Sequence, residues 1–275
     1  MPSKDERAGS FGAVAAHYER FRPGPPEIAV DWFLPHRVAR VVDLGAGTGA
    51  LTRLLVDRAE EVVAVEPDER MRAVLRETVA AANAVDGQGE SIPLADASAD
   101  AILASSSWHW VDPIAAVAEA ARVLVPNGLL GAIWSGPDPE GPFMAQARDL
   151  LGQHTASAAE TGGPEAGGRE AGDPEAGGLG ALIFDESLRP EFVLRIPEGM
   201  PFTEPEHEVF TWDVALDADE LIGLLETLSW VITMAPERRE QVTATARRLL
   251  GELGIRDDVT VDVRFRADAW RCRRA

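Results

Sequence analysis

The chain has 275 residues, enough for a full hydrophobic core and one α/β domain with a modest addition. It carries 46 acidic against 26 basic residues, a formal net charge of −20, so nucleic acid and anionic membrane surfaces would be repelled. Its single cysteine, Cys272, excludes an internal disulfide, and no Cys/His spacing resembles a metal site.

The beginning of the sequence, M-P-S-K-D-E-R-A-G-S, lacks the apolar core of a signal peptide. No apolar run approaches the length that spans a bilayer. We therefore expect a cytoplasmic protein without a membrane partner, either a monomer or a homodimer.

The first elements lead to a glycine-rich corner. Apolar and aromatic residues recur at helical spacing within 10–26 before a proline-rich break, and a short amphipathic helix is predicted over 28–35. A buried strand over 38–44 then ends on Gly45, Gly47 and Gly49, and helical spacing resumes over 50–58. Strand, glycine loop and helix in this order form the first unit of a doubly wound α/β domain, where ligands lie beyond the carboxyl ends of strands.

The ligand at this corner can be read in two ways. The glycines satisfy the loose dinucleotide pattern G-x-G-x-x-G/A, which indicates a nicotinamide cofactor. Asp43 lies two residues before the first glycine, at the end of the strand. A carboxylate there would repel a pyrophosphate but hold an amino group, so we favour a cofactor with an amino-acid portion.

Four segments in order resemble class I S-adenosylmethionine-dependent methyltransferases with a type-11-like domain. D-x-G-x-G-x-G from Asp43 is similar to their first motif, and V-V-A-V-E-P ends a second strand at Glu66. G-Q-G-E-S-I-P-L resembles their adenine-side loop, and D-A-S-A-D-A-I-L-A-S-S-S-W-H-W their fourth strand with its following loop. The resemblance implies S-adenosyl-L-methionine as cofactor and S-adenosyl-L-homocysteine as product.

The resemblance also implies roles for individual residues. Asp43 and the glycine loop would hold the amino-acid portion, Glu66 the ribose hydroxyls, and Gln88 the adenine, where many relatives have a carboxylate. Met71 would pack on adenine or belong to the ordinary core. The expected cofactor-binding residues are Tyr18, Arg22, Asp43, Gly45, Ala46, Gly47, Glu66, Pro67, Met71, Gln88, Gly89, Glu90, Ser105 and Ser106.

The segment Y-E-R-F-R-P, from Tyr18 to Pro23, resembles an N-terminal segment of the same family. The resemblance implies a helix over the cofactor pocket, with Tyr18 and Arg22 near the methionine end. The alternative is that Tyr18 is a core residue and Arg22 a surface charge.

The run Trp108-His109-Trp110 directly follows the predicted fourth strand. Indoles there can exclude water, stack a flat substrate or face the cationic sulfonium. His109 is a candidate general base, since imidazole titrates near neutrality, or it fixes the loop. Further along the chain, Trp134 and Trp230 are candidate substrate residues that can equally belong to the core. The expected substrate residues are Trp108, Trp110, Trp134 and Trp230.

The rest of the chain predicts a second half of the sheet. A helix over 113–125 is expected to end at P-N-G, followed by a fifth strand over 129–134. Near repeats of G-P-E-A-G-G indicate a flexible insertion. Strands over 208–216 and 259–271, separated by helices, would form a final antiparallel hairpin.

These elements predict an α/β protein with a Rossmann-like, mostly parallel seven-stranded sheet, helices on both faces and a lid of N-terminal and C-terminal helices. The expected domains are an N-terminal helical cap over 1–36, a cofactor-binding core over 37–154, a Gly/Glu/Pro-rich insertion over 155–182, and strands and helices over 183–275 that complete the sheet and the acceptor site.

The sequence as a whole predicts an S-adenosylmethionine-dependent methyltransferase for a small-molecule acceptor. No motif of nitrogen methylation and no metal cluster of catechol-type enzymes is present, so an oxygen acceptor is preferred. Two alternatives stay open: an S-adenosylmethionine-binding protein that catalyses a cyclisation or another step without methyl transfer, and a nicotinamide oxidoreductase.

Overall fold

A computed structural model describes residues 15–150 and 192–275. It contains a seven-stranded sheet in the order β3-β2-β1-β4-β5-β7-β6, as the sequence predicts. The strands are β1 (Val38–Leu44), β2 (Ala59–Val65), β3 (Asn83–Val85), β4 (Ala99–Ser105), β5 (Leu124–Pro137), β6 (Glu206–Leu216) and β7 (Val261–Arg273).

The helices connect these strands along the chain. They are α1 (Ala15–Phe21), α2 (Glu27–Phe33), α3 (Thr52–Leu55), α4 (Glu69–Thr78), α5 (Pro113–Val123), α6 (142–150), α7 (Ala218–Glu226), α8 (Ser229–Ile232) and α9 (Pro236–Glu252). The predicted helix over 50–58 is therefore shorter in the structure. The predicted insertion over 155–182 lies outside the described residues.

The first five strands are parallel and buried. Val42 of β1 pairs with Val63 of β2 and with Ile102 of β4, and all three side chains are fully buried. This burial on both faces explains why the strands read as continuous apolar runs. Their carboxyl ends therefore all lie at the same edge of the sheet. The strand order reverses between β1 and β4, because β2 and β3 are added on one side of β1 and β4 and β5 on the other.

The last strand, β7, runs antiparallel to β5. The backbone of Asn127 bonds to Arg274 and that of Asp138 to Arg264, so the residue numbers rise along β5 as they fall along β7. The hairpin predicted from the sequence pairs the last two strands, β6 and β7, and these two strands are neighbours in the sheet.

Side-chain caps begin the helices that border the parallel strands. Asp68 accepts from the backbone N–H of Arg70 at the start of α4. Asp112 accepts from the N–H groups of Ile114 and Ala115, and Pro113 occupies the first turn of α5. Both caps fix where the chain leaves the carboxyl edge of the sheet.

The predicted boundary at P-N-G is wrong. Helix α5 ends at Val123, and β5 already begins at Leu124. The pairing then jumps from Ala99–Leu124 to Ala101–Leu129, so P-N-G forms a bulge within the strand. Asn127 takes a left-handed backbone conformation there (φ 63°), which asparagine tolerates better than most residues.

The contacts divide the chain into two compact units. Among the described residues, one comprises 15–136, 192–210 and 266–275, and the other 137–150 and 211–265. The first unit has a core around Val42, Ile102 and Leu130, and the second has its own core around Leu225, Leu250 and Phe265. This division differs from the domain boundaries expected from the sequence, which stay a prediction.

Among residues 15–150 and 192–275, no helix has both the length and the apolar composition needed to cross a membrane.

Candidate functional site

A cavity of about 320 Å³ lies in the first unit, at the carboxyl edge of the parallel strands. Its walls come from the ends of β1, β2, β4 and β5 and from the loops that follow them. The volume is at the lower end of the range of small-molecule sites. Its position at the switch between β1 and β4 is where open α/β sheets bind ligands.

Asp43, near the end of β1, is almost fully buried, with 1% of its surface exposed. Its Oδ2 accepts a hydrogen bond from the Thr52 hydroxyl over 2.6 Å, while Oδ1 has no hydrogen-bond partner among the described residues. Burial raises the pKa of this carboxyl from 3.8 to about 7; the Thr52 bond opposes the rise and the nearby charge of Glu66 adds to it. A cationic ligand group would complete this site.

Glu66, directly after β2, lines the same cavity and is 9% exposed. Its Oε2 accepts from the Gly47 N–H and its Oε1 from the Asp68 N–H, both over 2.9 Å. Burial raises the pKa of the carboxyl, and the two backbone bonds work against that rise. Each carboxylate oxygen can accept a second bond, so the group retains capacity for two ligand hydroxyls.

The glycine loop depends on two different properties of glycine. At Gly45 (φ 67°) an added Cβ would lie 2.5 Å from the Cβ of Ser107, so the chain after β4 packs directly on this loop. At Gly47 (φ 57°) an added Cβ would meet nothing within 4 Å. Since Gly47 lines the cavity, that open space is available to a ligand.

The loop after β3 forms another part of the wall. Gln88 and Ser91 exchange backbone hydrogen bonds, which close a tight turn around Gly89 and Glu90. Glu90 accepts from the backbone N–H of Asp112 over 2.6 Å and so ties this turn to the start of α5. Met71 of α4, 4% exposed, also lines the cavity.

The run Trp108–Trp110 forms one turn of 3₁₀ helix, with three residues per turn. Successive side chains therefore point about 120° apart. Trp108 is buried in the core at the cavity wall, and Trp110 also lines the cavity. His109 is not among the lining residues; its Nδ1 accepts from the indole N–H of Trp134 over 3.1 Å.

Behind this turn lies an aromatic cluster of His109, Trp110, Trp134 and Phe192. The centroid of the His109 ring lies 4.7 Å from that of Trp110 and 5.2 Å from that of Phe192. Phe192 stacks on Trp134 with 5.5 Å between the ring centroids. Trp134 is 5% exposed and does not line the cavity. Phe192 was not anticipated from the sequence, because it lies far along the chain from the other three.

The cavity brings together all expected cofactor-binding residues except Tyr18, whose side chain, like that of Trp230, lies outside the described part. The structure adds lining residues that are not among the cofactor-binding and substrate residues expected from the sequence. Several of these lie inside or next to the recognised motifs, so their position in the motif was an available signal. The added lining residues are Pro23, Gly24, Leu44, Thr48, Ala50, Leu51, Asp68, Ser107, Val111 and Ser135.

Within residues 15–150 and 192–275, no group of three or more histidine, cysteine, aspartate or glutamate side chains is arranged to hold a metal ion.

The strand order and the position of the cavity define the class of protein: a Rossmann-like α/β domain that binds its ligand at the switch point. Comparisons with known proteins refine this assignment. Residues 42–132 match the family model described as a methyltransferase domain. An uncharacterized methyltransferase of Mycobacterium tuberculosis is 36% identical over 248 residues, which cover 90% of this chain and 88% of that protein.

Two further similarities are more limited. A solved structure from Anaeromyxobacter dehalogenans, provisionally described as a type II methyltransferase, has a TM-score of 0.61 at 22% identity, covers 92% of this chain and 98% of its own, and supports the fold. A malonyl-[acyl-carrier protein] O-methyltransferase of Enterobacter lignolyticus is 33% identical over 136 residues, 47% of this chain and 54% of that protein.

The chain belongs to the class I S-adenosylmethionine-dependent methyltransferases. S-adenosylmethionine is its cofactor. The residues present suit that cofactor. Asp43 Oδ1 is a buried acceptor that has no partner in the described part of the chain and could receive a cationic amino group, and the space beside Gly47 is open. The alternative of a nicotinamide oxidoreductase, left open by the sequence, is therefore rejected.

Proposed function

We propose that this methyltransferase transfers the methyl group to an oxygen atom of a small-molecule acceptor. The observation that carries the cofactor half of the proposal is the placement of two buried carboxylates, Asp43 and Glu66, on one cavity next to the open space at Gly47. An oxygen acceptor agrees with the absence of a nitrogen-methylation motif in the sequence. It also agrees with the partial similarity to an O-methyltransferase that acts on a malonyl group.

In this proposal Asp43 receives the amino group, and Glu66 receives the ribose hydroxyls while keeping its bonds to Gly47 and Asp68. Gln88, Gly89, Glu90 and Met71 border the adenine. Arg22 lies at the amino-acid end, with Tyr18 assigned there from the sequence alone. Pro67, Gly45, Ala46, Ser105 and Ser106 complete the walls.

The bound cofactor supplies a methyl carbon already activated by a positively charged sulfur. The protein therefore contributes mainly position and exclusion of water. Trp108 and Trp110 border the cavity at the loop after β4, where they exclude water from the reaction. Trp134 supports this wall from behind, through Phe192 and His109.

Binding of S-adenosylhomocysteine, measured by calorimetry, tests the cofactor half of the proposal. Glu66→Gln should weaken binding about 10- to 100-fold, because it removes charge-assisted hydrogen bonds to the ribose and turns an amide NH₂ toward one of the two backbone donors. Glu60→Gln is the matched control, since Glu60 is an exposed acid on β2, the strand that leads to Glu66, and lies outside the cavity. Equal affinities in both variants would refute the role of Glu66.

Release of S-adenosylhomocysteine with a panel of hydroxyl, carboxylate and amine compounds tests the acceptor half. The proposal expects turnover with oxygen acceptors. Turnover confined to amines would refute it while leaving the methyltransferase assignment intact.

A further inference from the structure

Ser135, near the carboxyl end of β5, is one of the residues that line the cavity. Its Oγ is buried and has no hydrogen-bond partner among the described residues. Another cavity serine, Ser107, differs in this respect, because its Oγ donates to the Leu44 carbonyl over 2.5 Å. Buried hydroxyls without partners are uncommon in folded proteins. A polar group of a bound ligand would supply the hydrogen-bond partner that the hydroxyl of Ser135 lacks.

Ser135 lies away from the carboxylates to which we assign the cofactor. It lies two residues after Ile133, which pairs with Ser105 of β4. Strand β4 lies between β5 and β1 in the sheet. With neighbouring strands about 4.8 Å apart, Ser135 is about 10 Å across the sheet from the axis of β1, which carries Asp43, and about 15 Å from that of β2, which leads to Glu66. A ligand group at Ser135 would therefore belong to the acceptor.

The chemistry of the cavity limits which acceptor fits. Among the lining residues that the structure describes, the ionisable side chains are carboxylates and one guanidinium, with no lysine, tyrosine or histidine. His109 lies outside the lining, and its Nδ1 already accepts from Trp134. An alcohol has to lose a proton as it is methylated, whereas a carboxylate has none to lose.

Three of the cavity carboxylates already form hydrogen bonds or an ion pair within the protein. Glu66 accepts two backbone N–H groups, Asp68 pairs with Arg70 over 2.6 Å, and Glu90 accepts from the Asp112 N–H. Asp43 lies on β1, at the cofactor end. The arrangement thus suits an acceptor that is already a nucleophile without help from a base.

We propose that Ser135 is an acceptor-binding residue whose hydroxyl donates to one oxygen of a carboxylate, and that this carboxylate is the group methylated. The inference rests on the proposed function and names its substrate class. The other carboxylate oxygen forms the new bond to the methyl carbon as the carbon–sulfur bond breaks. The electron pair of that bond stays on sulfur, so the products are a methyl ester and neutral S-adenosylhomocysteine, with no proton transferred.

The substrate class is tested with S-adenosylmethionine labelled in the methyl group and with matched probes. Each aliphatic or aromatic carboxylate is paired with the alcohol and the amine of the same carbon skeleton, and dicarboxylate half-thioesters are included. We expect label in products of the carboxylates alone, recovered as methanol after base hydrolysis. With saturating S-adenosylmethionine, kcat should be constant from about pH 6 to 9, because the carboxylate of the acceptor stays ionised over that range.

The role of Ser135 is tested by Ser135→Ala. We expect kcat/KM for the carboxylate probe to fall about 10- to 100-fold, the usual effect of losing one hydrogen bond to a charged group. Affinity for S-adenosylhomocysteine should stay within about twofold, and calorimetry of the S-adenosylhomocysteine complex should show weaker binding of the same probe. Ser98→Ala is the control, because Ser98 loses only an exposed bond to the Ala95 carbonyl.

The possible results separate the two proposals. Methylation of alcohols or amines but of no carboxylate, or no labelled product from any carboxylate while the cofactor is bound, would overturn the carboxylate assignment. An unchanged kcat/KM in Ser135→Ala, or an equal loss in Ser98→Ala, would overturn the role of Ser135. Failure of the wild-type protein to bind S-adenosylhomocysteine would instead count against the assignment of the cavity to the cofactor.

Discussion

Thr52, the first residue of α3, donates its hydroxyl to Oδ2 of Asp43 over 2.6 Å, and the second carboxylate oxygen has no partner within residues 15–150 and 192–275. Both side chains are buried. One hydrogen bond does not replace the water that a carboxylate loses on burial, which is why the pKa of Asp43 rises to about 7. Near neutral pH the Asp43 carboxyl is therefore only partly ionised in the protein alone.

The first prediction concerns stability without the cofactor. Because the pKa of Asp43 is 3.8 in its ordinary state and about 7 in the fold, the folded protein keeps a proton that the unfolded chain has lost between these values. This contribution is complete below about pH 4 and is lost as the pH rises to about 7. At pH 8 the free energy of unfolding is therefore lower than below pH 4 by up to about 4 kcal/mol from this group.

Asp43→Asn removes that cost while keeping an acceptor for Thr52. Measured by denaturant unfolding, the variant should match the wild type in free energy of unfolding near pH 4 and exceed it increasingly up to about pH 7, with little further change to pH 8. Comparing the two proteins cancels the opposite trend of carboxylates whose pKa is lowered, such as Asp68 and Asp268. A difference that does not vary with pH would contradict the prediction.

The second prediction is proton release on cofactor binding. A cationic amino group beside Asp43 should lower the pKa of the carboxyl, so S-adenosylhomocysteine binding near pH 6.5 should release up to about one proton. The measured binding enthalpy should then depend on the ionisation enthalpy of the buffer. In Asp43→Asn this dependence should vanish. Identical enthalpies in phosphate and imidazole buffers for the wild type would show that Asp43 does not meet the amino group.

The third prediction uses two glycines with similar backbone strain. Gly47 (φ 57°) and Gly199 (φ 82°) both adopt left-handed conformations, and a Cβ at either would meet nothing within 4 Å. Alanine at each should cost about 1 kcal/mol of stability. Only Gly47→Ala puts a methyl group into the cavity, so it alone should raise the Kd for S-adenosylhomocysteine, by at least about tenfold. Equal losses of affinity would mean that strain, and not occupied space, is responsible.

Much of the fold was predictable because burial leaves a clear pattern in parallel strands. V-V-D-L before the glycines and A-I-L-A before the serines mark β1 and β4 with boundaries close to those observed. The error at P-N-G has a physical cause. Proline and glycine usually end regular structure, but a bulge opposite Ala99 allows β5 to contain them.

The residues of the candidate site also differ in how far the sequence could predict them. Residues within a motif, such as Asp43 and Glu66, were found because the order of strand and loop determines where they lie. Ser135 and Phe192 lie outside these motifs. The position of Ser135 depends on how β5 reaches the cavity, and that of Phe192 on how a distant part of the chain packs on Trp134. His109 was singled out for its chemistry, but the tight 3₁₀ turn directs it away from the cavity that its two neighbours line.

The fourth prediction separates the two roles considered for His109. A neutral imidazole has one donor and one acceptor nitrogen. Since Nδ1 accepts from the Trp134 indole, the proton lies on Nε2, and no lone pair is left to remove a proton from an acceptor. We therefore expect His109 to hold the turn in place.

His109→Phe should cost about 1–3 kcal/mol of stability, because it leaves the buried indole N–H of Trp134 without its acceptor. Trp134→Phe removes that donor, so the double variant should be more stable than the sum of the single losses predicts, by about 0.5–3 kcal/mol. The pH profile of kcat should keep its shape in His109→Phe, with kcat reduced only a few fold. A general base would give a different result: a loss of about 10²- to 10⁴-fold in kcat and of any inflection near neutral pH, at little cost in stability.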